Sequence, residues 1–348
     1  MKIWIYIIAF LIFVLSLTFV LPFIADLHDT SFYLKMDELY VKNWEAKYRR
    51  EFLEKNPGIS CFNVGIGYRD HCVDIQIRGR ISKLDDLESL LGNIKSSCHL
   101  LISDDDDMGV LRLLKSDAEV TIGDYTVGDY EDGDHAIEYD NSLFLKNTKM
   151  RCISILENVV LKSLEGIEEC NAGELTLCNA EKIKDFHLLK QTGIYYLLIK
   201  NAQYLFDLKE IGQMEKLRIL NIVKTKITSL VGLENNKTIT SLHIDGCQVS
   251  DLSPISKMKS LEWLYLGNMP IDDLSPLVSN DKLEIISISK TNVKDLTPLA
   301  ELPNLKNVFI YNAKPENFII PQSLIERVDI QETSPYLSII FPEGFKYE

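Results

Sequence analysis

His243 and Asp245 are the two side chains best placed for acid–base chemistry or metal binding, because one residue separates them. Residues two apart on a β-strand point to the same face, so this imidazole and carboxylate can pair or supply two metal ligands. A zinc site needs three or four protein ligands, and no third His, Cys or carboxylate has matching spacing. We therefore interpret the pair as binding residues and predict no bound metal.

Two acidic stretches suggest calcium at first sight, the run Asp104–Asp107 and the segment Asp129–His135. Neither fits the ligand spacing of a calcium loop, and acidic loops are usually solvated. A phosphate-binding loop, a zinc-protease motif, a nucleophile elbow and a dinucleotide loop are also missing from the sequence. These patterns predict a protein that is not an enzyme, with no catalytic residues and no cofactor.

The seven cysteines form no pair with zinc-ligand spacing, and an odd number does not suit a disulfide framework. Cys61 and Cys72 are the one pair for which we consider a disulfide, because both lie in the same non-repetitive region. Cys247 is expected in the core. The net charge of −14 argues against a nucleic acid or an anionic membrane surface as a partner, since both bind clustered Lys and Arg.

The amino terminus predicts membrane insertion, since Ile3–Ile24 is almost wholly apolar and long enough to cross a bilayer as a helix. A cleaved signal peptide is the alternative, but Phe23 stands where a signal peptidase prefers a small residue. We favour an uncleaved signal anchor or transmembrane helix over residues 1–25. Lys2 precedes the segment and two acidic residues follow it, which predicts a single-pass membrane protein with an extracytoplasmic C-terminal domain.

Residues 26–58 predict a juxtamembrane amphipathic helix that Pro57 and Gly58 end. Its apolar positions recur every three to four residues: Met36, Leu39, Tyr40, Trp44, Tyr48 and Phe52. Such a helix either binds a partner or a membrane surface, or forms a stalk that covers the first coil of the following domain.

The segment Leu261–Asn304 contains two 22-residue repeats with the same apolar skeleton. The apolar spacing changes within each repeat from two residues, which is typical of a short strand, to three, which is typical of a tight helical return. Each repeat therefore predicts one coil of a solenoid. Coils with this pattern begin at Met150, Ala172, Ile194, Leu217, Ile239, Leu261, Leu283 and Leu305.

A ninth strand pair, Val328 and Ile330, is expected after a shortened coil. Residues 59–149 are irregular, but apolar pairs at Leu100 and Ile102, Val120 and Ile122, and Leu143 and Leu145 suggest degenerate repeats from about Val73. The predicted organisation is thus an irregular N-terminal region at 59–149, a solenoid at 150–330 and a C-terminal cap at 331–348. In the returns, Ser253, Ser275 and Thr297 precede prolines, which predicts hydroxyl-capped helical turns.

The consensus L-x-x-L-x-L-x-x-x-x-I-x-x-L-x-P-L resembles the 22-residue leucine-rich repeat of the internalin type, over about half of the chain. The resemblance implies an α/β solenoid whose short parallel strands line a concave face, and binding of a protein on that face. Unlike internalins, this chain has a predicted N-terminal transmembrane helix, no sorting motif at its C-terminal end and a short tail after the array.

Alternate strand residues point away from the core, and aromatic residues concentrate in these outward positions toward the C-terminal end. Exposed aromatic residues are common anchors of protein interfaces. The predicted partner-binding residues are Tyr196, His243, Asp245, Trp263, Tyr265, Phe309 and Tyr311. The alternative is that the C-terminal tail folds over these rings as a cap.

We conclude from the sequence that the chain is a membrane-anchored leucine-rich-repeat module that recognises a protein partner through its concave face. The alternatives are an immunity-type protein that neutralises a toxin, which the acidic charge would suit, and a structural scaffold of the cell envelope.

Overall fold

The computed structural model of the 348-residue chain describes residues 50–51, 54–55, 59–66, 73–79, 98–102, 119–122, 137–139, 152–155, 159–310 and 318–331. For the strands before residue 152 it describes the backbone alone. The predicted membrane segment, the two acidic stretches, Cys72, the strand expected at Leu143 and Leu145, and the tail after residue 331 lie outside the described residues. Of the predicted amphipathic helix, Arg50, Glu51, Glu54 and Lys55 are described, and they are helical.

The N-terminal strands are β1 (Ile59–Ile66), β2 (Val73–Gly79), β3 (Cys98–Ile102), β4 (Glu119–Ile122) and β5 (Ile137–Tyr139). The strands of the regular array are β6 (Cys152–Ile155), β7 (Val159–Leu161), β8 (Glu174–Leu177), β9 (Tyr196–Lys200), β10 (Ile219–Val223), β11 (Ser241–Asp245), β12 (Trp263–Gly267), β13 (Ile285–Ser289), β14 (Asn307–Phe309) and β15 (Asp329–Gln331). Thirteen of them form one sheet in chain order, and β5 pairs with β7 in a second sheet.

The returns of the array are short helical turns. Two are α-helical, α1 (Lys209–Gly212) and α2 (Gln322–Ile325), and the others are 3-10 helices at Ile167–Glu169, His187–Gln191, Ser253–Lys257, Ser275–Ser279 and Thr297–Glu301. This alternation of strand and helical turn confirms the predicted leucine-rich-repeat solenoid.

The eight predicted strand registers are confirmed residue by residue, since the first apolar residues of neighbouring coils pair in a parallel sheet. Their order is Ile153, Leu175, Leu197, Leu220, Leu242, Leu264, Ile286 and Val308. Each is completely buried. On each strand, the residue that follows this apolar residue points to the opposite face, as a period of two requires.

The ninth coil differs from its prediction, because Val308 pairs with Ile330 rather than with Val328. The last step is therefore 22 residues, like all but one of the earlier steps, and the coil is not shortened. Arg327 occupies the position where earlier coils begin with an aliphatic residue, which hid the register in the sequence. Its guanidinium donates to the carbonyl oxygens of Leu302, at 2.6 Å, and Ala300, at 3.1 Å, and so satisfies the end of the preceding helical turn.

The sheet extends N-terminally beyond the regular array. β2, β3 and β4 run parallel to β6 and place Leu100 beside Val120 and Val120 beside Ile153. The strands predicted at Leu100 and Ile102 and at Val120 and Ile122 are therefore present. β1 pairs antiparallel with β2, which the sequence pattern did not predict.

Three of the helical turns are held by carboxylates that the sequence pattern did not single out. The prediction that Ser253, Ser275 and Thr297 cap these turns is wrong, because each is the first residue inside its 3-10 helix. The N-cap position is the preceding Leu, which has no side chain that could form a capping hydrogen bond. Instead, the carboxylate two residues before each Ser or Thr accepts its backbone N–H, at 2.8 Å; these are Asp251, Asp273 and Asp295. Hydrogen bonds from Ser253, and likewise from Thr297, lower the pKa of Asp251 and Asp295.

Cys247 is fully buried beside the strand end, as expected for a core residue. Its Sγ lies 3.3 Å from the hydroxyl of Thr225, and burial raises the pKa of the thiol.

The helices within the described ranges are too short or too polar to cross a membrane.

Candidate functional site

Trp263, Tyr265 and Phe309, here called the aromatic cluster, lie on the outer face of the sheet near its C-terminal end. Tyr265 on β12 pairs with Ser287 on β13, which pairs with Phe309 on β14. Neighbouring strands are about 4.8 Å apart, so roughly 10 Å separates the backbones that carry the two rings. Ser287 and Ser289, between them, are 3% and 4% exposed, whereas the three aromatic side chains remain half-buried.

His243 lies directly beside this cluster, because its strand position pairs with Tyr265. The two ring centroids are 6.0 Å apart at an interplanar angle of 65°, which is an edge-to-face contact. His243 is 9% exposed, and its burial lowers the pKa of the imidazole, against an opposing effect of Asp245. Burial raises the pKa of Tyr265 to about 12, so its phenol stays protonated at neutral pH.

Asp245 ends β11, two residues after His243, and Asn268 orients its carboxylate. Asn268 Nδ2 donates to Asp245 Oδ1 at 2.7 Å. Asn268 has a left-handed backbone with a φ of 50°, at the point where the chain leaves β12. Asparagine tolerates this conformation better than most residues, so the strand end can present the amide to the neighbouring coil.

Tyr196 lies farther along the sheet, on β9, three strands from Trp263 in the same outward column. Its hydroxyl accepts a hydrogen bond from Asn221 Nδ2 at 3.0 Å. Asn221 pairs with His243 across β10 and β11, and His243 pairs with Tyr265. Asn221 therefore links Tyr196 to His243 and Tyr265.

Six of the seven predicted binding residues thus lie on one continuous outer face, and Tyr311 lies outside the described residues. The tail that the alternative places over these rings is also outside them. This placement shows that the residues share a surface, and their role in binding stays a prediction.

Asn221 and Asn268 were missed by the sequence analysis. Asn221 occupies the same outward column as His243, so its register was available from the repeat. Asn268 follows its strand, where no outward position was expected, and only the left-handed turn brings its amide to Asp245.

Within the described ranges, no group of three or more His, Cys, Asp or Glu side chains could hold a metal ion.

Comparisons with solved structures find other leucine-rich-repeat proteins. Internalin InlF from Listeria monocytogenes is 18% identical, with a TM-score of 0.51 over 73% of this chain and 78% of that one. Internalin C2 from the same organism is 25% identical, with a TM-score of 0.42 over 49% of this chain and 76% of that one. A leucine-rich-repeat protein from Leptospira interrogans is 19% identical, with a TM-score of 0.45 over 70% of this chain and 68% of that one.

No protein-family model matches the chain, and no curated protein matches it at a significant level. The likeness to InlF agrees with the strand register in assigning the leucine-rich-repeat fold.

Proposed function

We propose that this chain binds a protein partner through the outer face of its sheet, with the aromatic cluster as the apolar anchor. This is the face that points away from the core and that the sequence predicts to be concave. The observation that supports this most is the row that runs from Tyr265 through buried Ser287 to Phe309. Large half-buried rings beside small residues form a surface of alternating height, and a partner side chain can fill the lower part. Aromatic residues in such places contribute much of the binding energy of protein interfaces.

The remaining predicted residues would provide polar contacts around this anchor. His243 supports one ring of the cluster, Asp245 is held in place by Asn268, and Tyr196 bonds to Asn221. We include Tyr311 because its sequence position continues the column formed by Asp245, Gly267 and Ser289. We propose binding rather than catalysis as the role of His243 and Asp245, since His243 contacts Tyr265 and Asp245 accepts a hydrogen bond from Asn268 within the surface.

The test compares two double variants in co-purification from membranes of the source organism, followed by mass spectrometry. Trp263→Ala with Tyr265→Ala should lose the partner. Tyr204→Ala with Phe206→Ala is the matched control, because these rings are 44% and 62% exposed outside the strand face. It should retain the partner. Unchanged thermal unfolding would show that both variants fold, and a partner retained by the first variant would contradict the proposal.

We further propose that Ile3–Ile24 anchors the chain in a membrane and leaves the array outside the cytoplasm. The apolar length of the segment and the preceding Lys2 support this. The intact mass of protein purified from membranes should include the segment, and protease added outside intact cells should cleave the array. A mass lower by about 25 residues would contradict the anchor.

A further inference from the structure

We propose that the partner places a basic side chain, Lys or Arg, against the aromatic cluster and the carboxylate of Asp245. This inference rests on the proposed binding function of the strand face and specifies the chemistry that the face recognises. Three observations carry it: the distribution of charge along the sheet, the position of Asp245 relative to Tyr265, and the fixed orientation of the carboxylate.

Negative charge accompanies the aromatic cluster. Among the described residues at the outward positions of β11 to β15 and just before these strands, the charged side chains are Asp245, Glu262, Glu284, Asp329 and Lys306. Lys306 pairs with Glu284 at 2.8 Å. The equivalent positions of β8 to β10 carry Glu174, Lys200 and Arg218. The half of the face that carries the aromatic cluster is therefore the acidic half, and it complements a basic partner.

The regular array as a whole does not have this asymmetry. Residues 159–310 contain 17 Lys and Arg against 19 Asp and Glu, so their charges nearly balance. The acidic character of the strand face near the aromatic cluster is thus a local property, and the net charge of the chain does not explain it.

Asp245 is a diagonal neighbour of Tyr265. His243 pairs with Tyr265, and Asp245, two residues later, pairs with Gly267. Strand geometry puts the α-carbons of Asp245 and Tyr265 about 8 Å apart. Gly267 contributes no side chain between them, so a cation can contact the carboxylate and a ring together. A ring face attracts cations, and the guanidinium of Arg both stacks on aromatic rings and pairs with a carboxylate.

The carboxylate is already oriented before any partner arrives. Asn268 Nδ2 holds Asp245 Oδ1 at 2.7 Å, so binding has less side-chain freedom to remove. Asparagine at position 245 would keep an oxygen for this bond and lose the charge. Asp245→Asn is therefore a nearly isosteric test of charge alone.

The experiment selects binders from a displayed library of random 12-residue peptides on the full-length chain in detergent. Peptides that also bind the Trp263→Ala, Tyr265→Ala variant are removed. We expect the remaining peptides to share a Lys or Arg beside an apolar residue. Asp245→Asn should weaken a selected peptide about tenfold, and the same change should have little effect once the basic residue of the peptide is replaced by Gln.

Asp272→Asn is the matched control, since Asp272 is exposed outside the strand face and carries the same charge. It should leave the affinity unchanged. Selected peptides without a shared basic residue, or an affinity that Asp245→Asn does not change, would overturn this inference and leave the proposed function standing. If no selected peptide depends on Trp263 and Tyr265, this inference is overturned as well, whereas the proposed function fails only if the Trp263→Ala, Tyr265→Ala variant retains the partner in the co-purification.

Discussion

Gly212 and Gly232 allow two neighbouring coils to touch through their backbones. A Cβ atom built on Gly212 would overlap the carbonyl oxygen of Gly232. Gly232 itself has a φ of 109°, and a Cβ there would lie 2.6 Å from the backbone nitrogen of Lys209. Backbone atoms cannot move aside as the end of a side chain can, so both positions require glycine.

Gly212→Ala should lower the free energy of unfolding by about 3 kcal/mol, because the two coils must separate to admit a methyl group. Gly193→Ala is the control, since its nearest neighbour would be Lys216 Nζ at 3.7 Å. Urea unfolding followed by circular dichroism measures both. Equal stabilities of the two variants would show that the close approach of the coils does not limit stability.

His243 should make stability depend on pH. Burial lowers the pKa of the folded imidazole below its ordinary value of 6.5, so the unfolded chain binds a proton more readily than the folded one. The contribution of His243 to stability is therefore complete above the unfolded pKa, and it is lost as the pH falls below about 6.5 toward the folded pKa.

His243→Gln should reduce this loss, measured as the change in thermal midpoint between about pH 7 and pH 5. His187→Gln is the control at an exposed histidine, which contacts Asp185 at 2.7 Å. If His243→Gln retains the pH dependence of the unaltered protein, another group causes it.

The turns of successive coils each contain the same kind of local hydrogen bond. In each of seven coils, a side-chain oxygen accepts the backbone N–H two residues later, at distances of 2.8 to 3.1 Å. The accepting residues are Ser163, Asp185, Asp207, Ser229, Asp251, Asp273 and Asp295. Side chains of this kind favour turns because they bond to nearby backbone.

Asp273→Ala should cost about 1 kcal/mol of stability, because the amide of Ser275 loses its acceptor where the helical turn begins. Asp272 is the same residue type one position earlier, and it is also exposed. Asp272→Ala should therefore stay within about 0.5 kcal/mol of the unaltered protein. Chemical denaturation of the two variants tests this, and equal losses would assign the effect to charge rather than to the turn.

The repeat spacing was sufficient to predict the strands of the regular array, because apolar residues with a period of two must face the core in every coil. Turn chemistry was less predictable. Ser253 and Asp251 are both reasonable capping residues in sequence, and the choice depends on where the 3-10 helix begins. The last register was hidden because Arg327 replaces an aliphatic residue at the end of the array.

The residues of the outer face were predicted from the alternation along each strand, but the contacts among them were not. The repeat spacing places Tyr265 beside His243, whereas the bond from Asn268 to Asp245 depends on a left-handed backbone that no spacing reveals. β1 was unpredictable for a related reason: the spacing describes repeated coils, and this strand runs against them.

At the scale of the whole molecule, each coil is stabilised by the coils on either side. We expect the strand amides of β11, β12 and β13 to exchange hydrogen more slowly than those at the end of the array, since each of these strands pairs on both sides. The amides of β15 should exchange faster, because within the described residues it pairs with β14 alone. Hydrogen exchange with mass spectrometry measures this, and uniform protection would indicate that the array unfolds as one unit.

The constant register also determines how this protein can change by recombination. Loss of residues 261–282 would remove one coil, join two compatible ends and bring Ser287 beside His243, where Tyr265 now lies. A duplication of the same segment would separate His243 from Phe309 by one more strand, about 4.8 Å. Whole-coil exchange would therefore rearrange the proposed binding face while the fold is inherited unchanged.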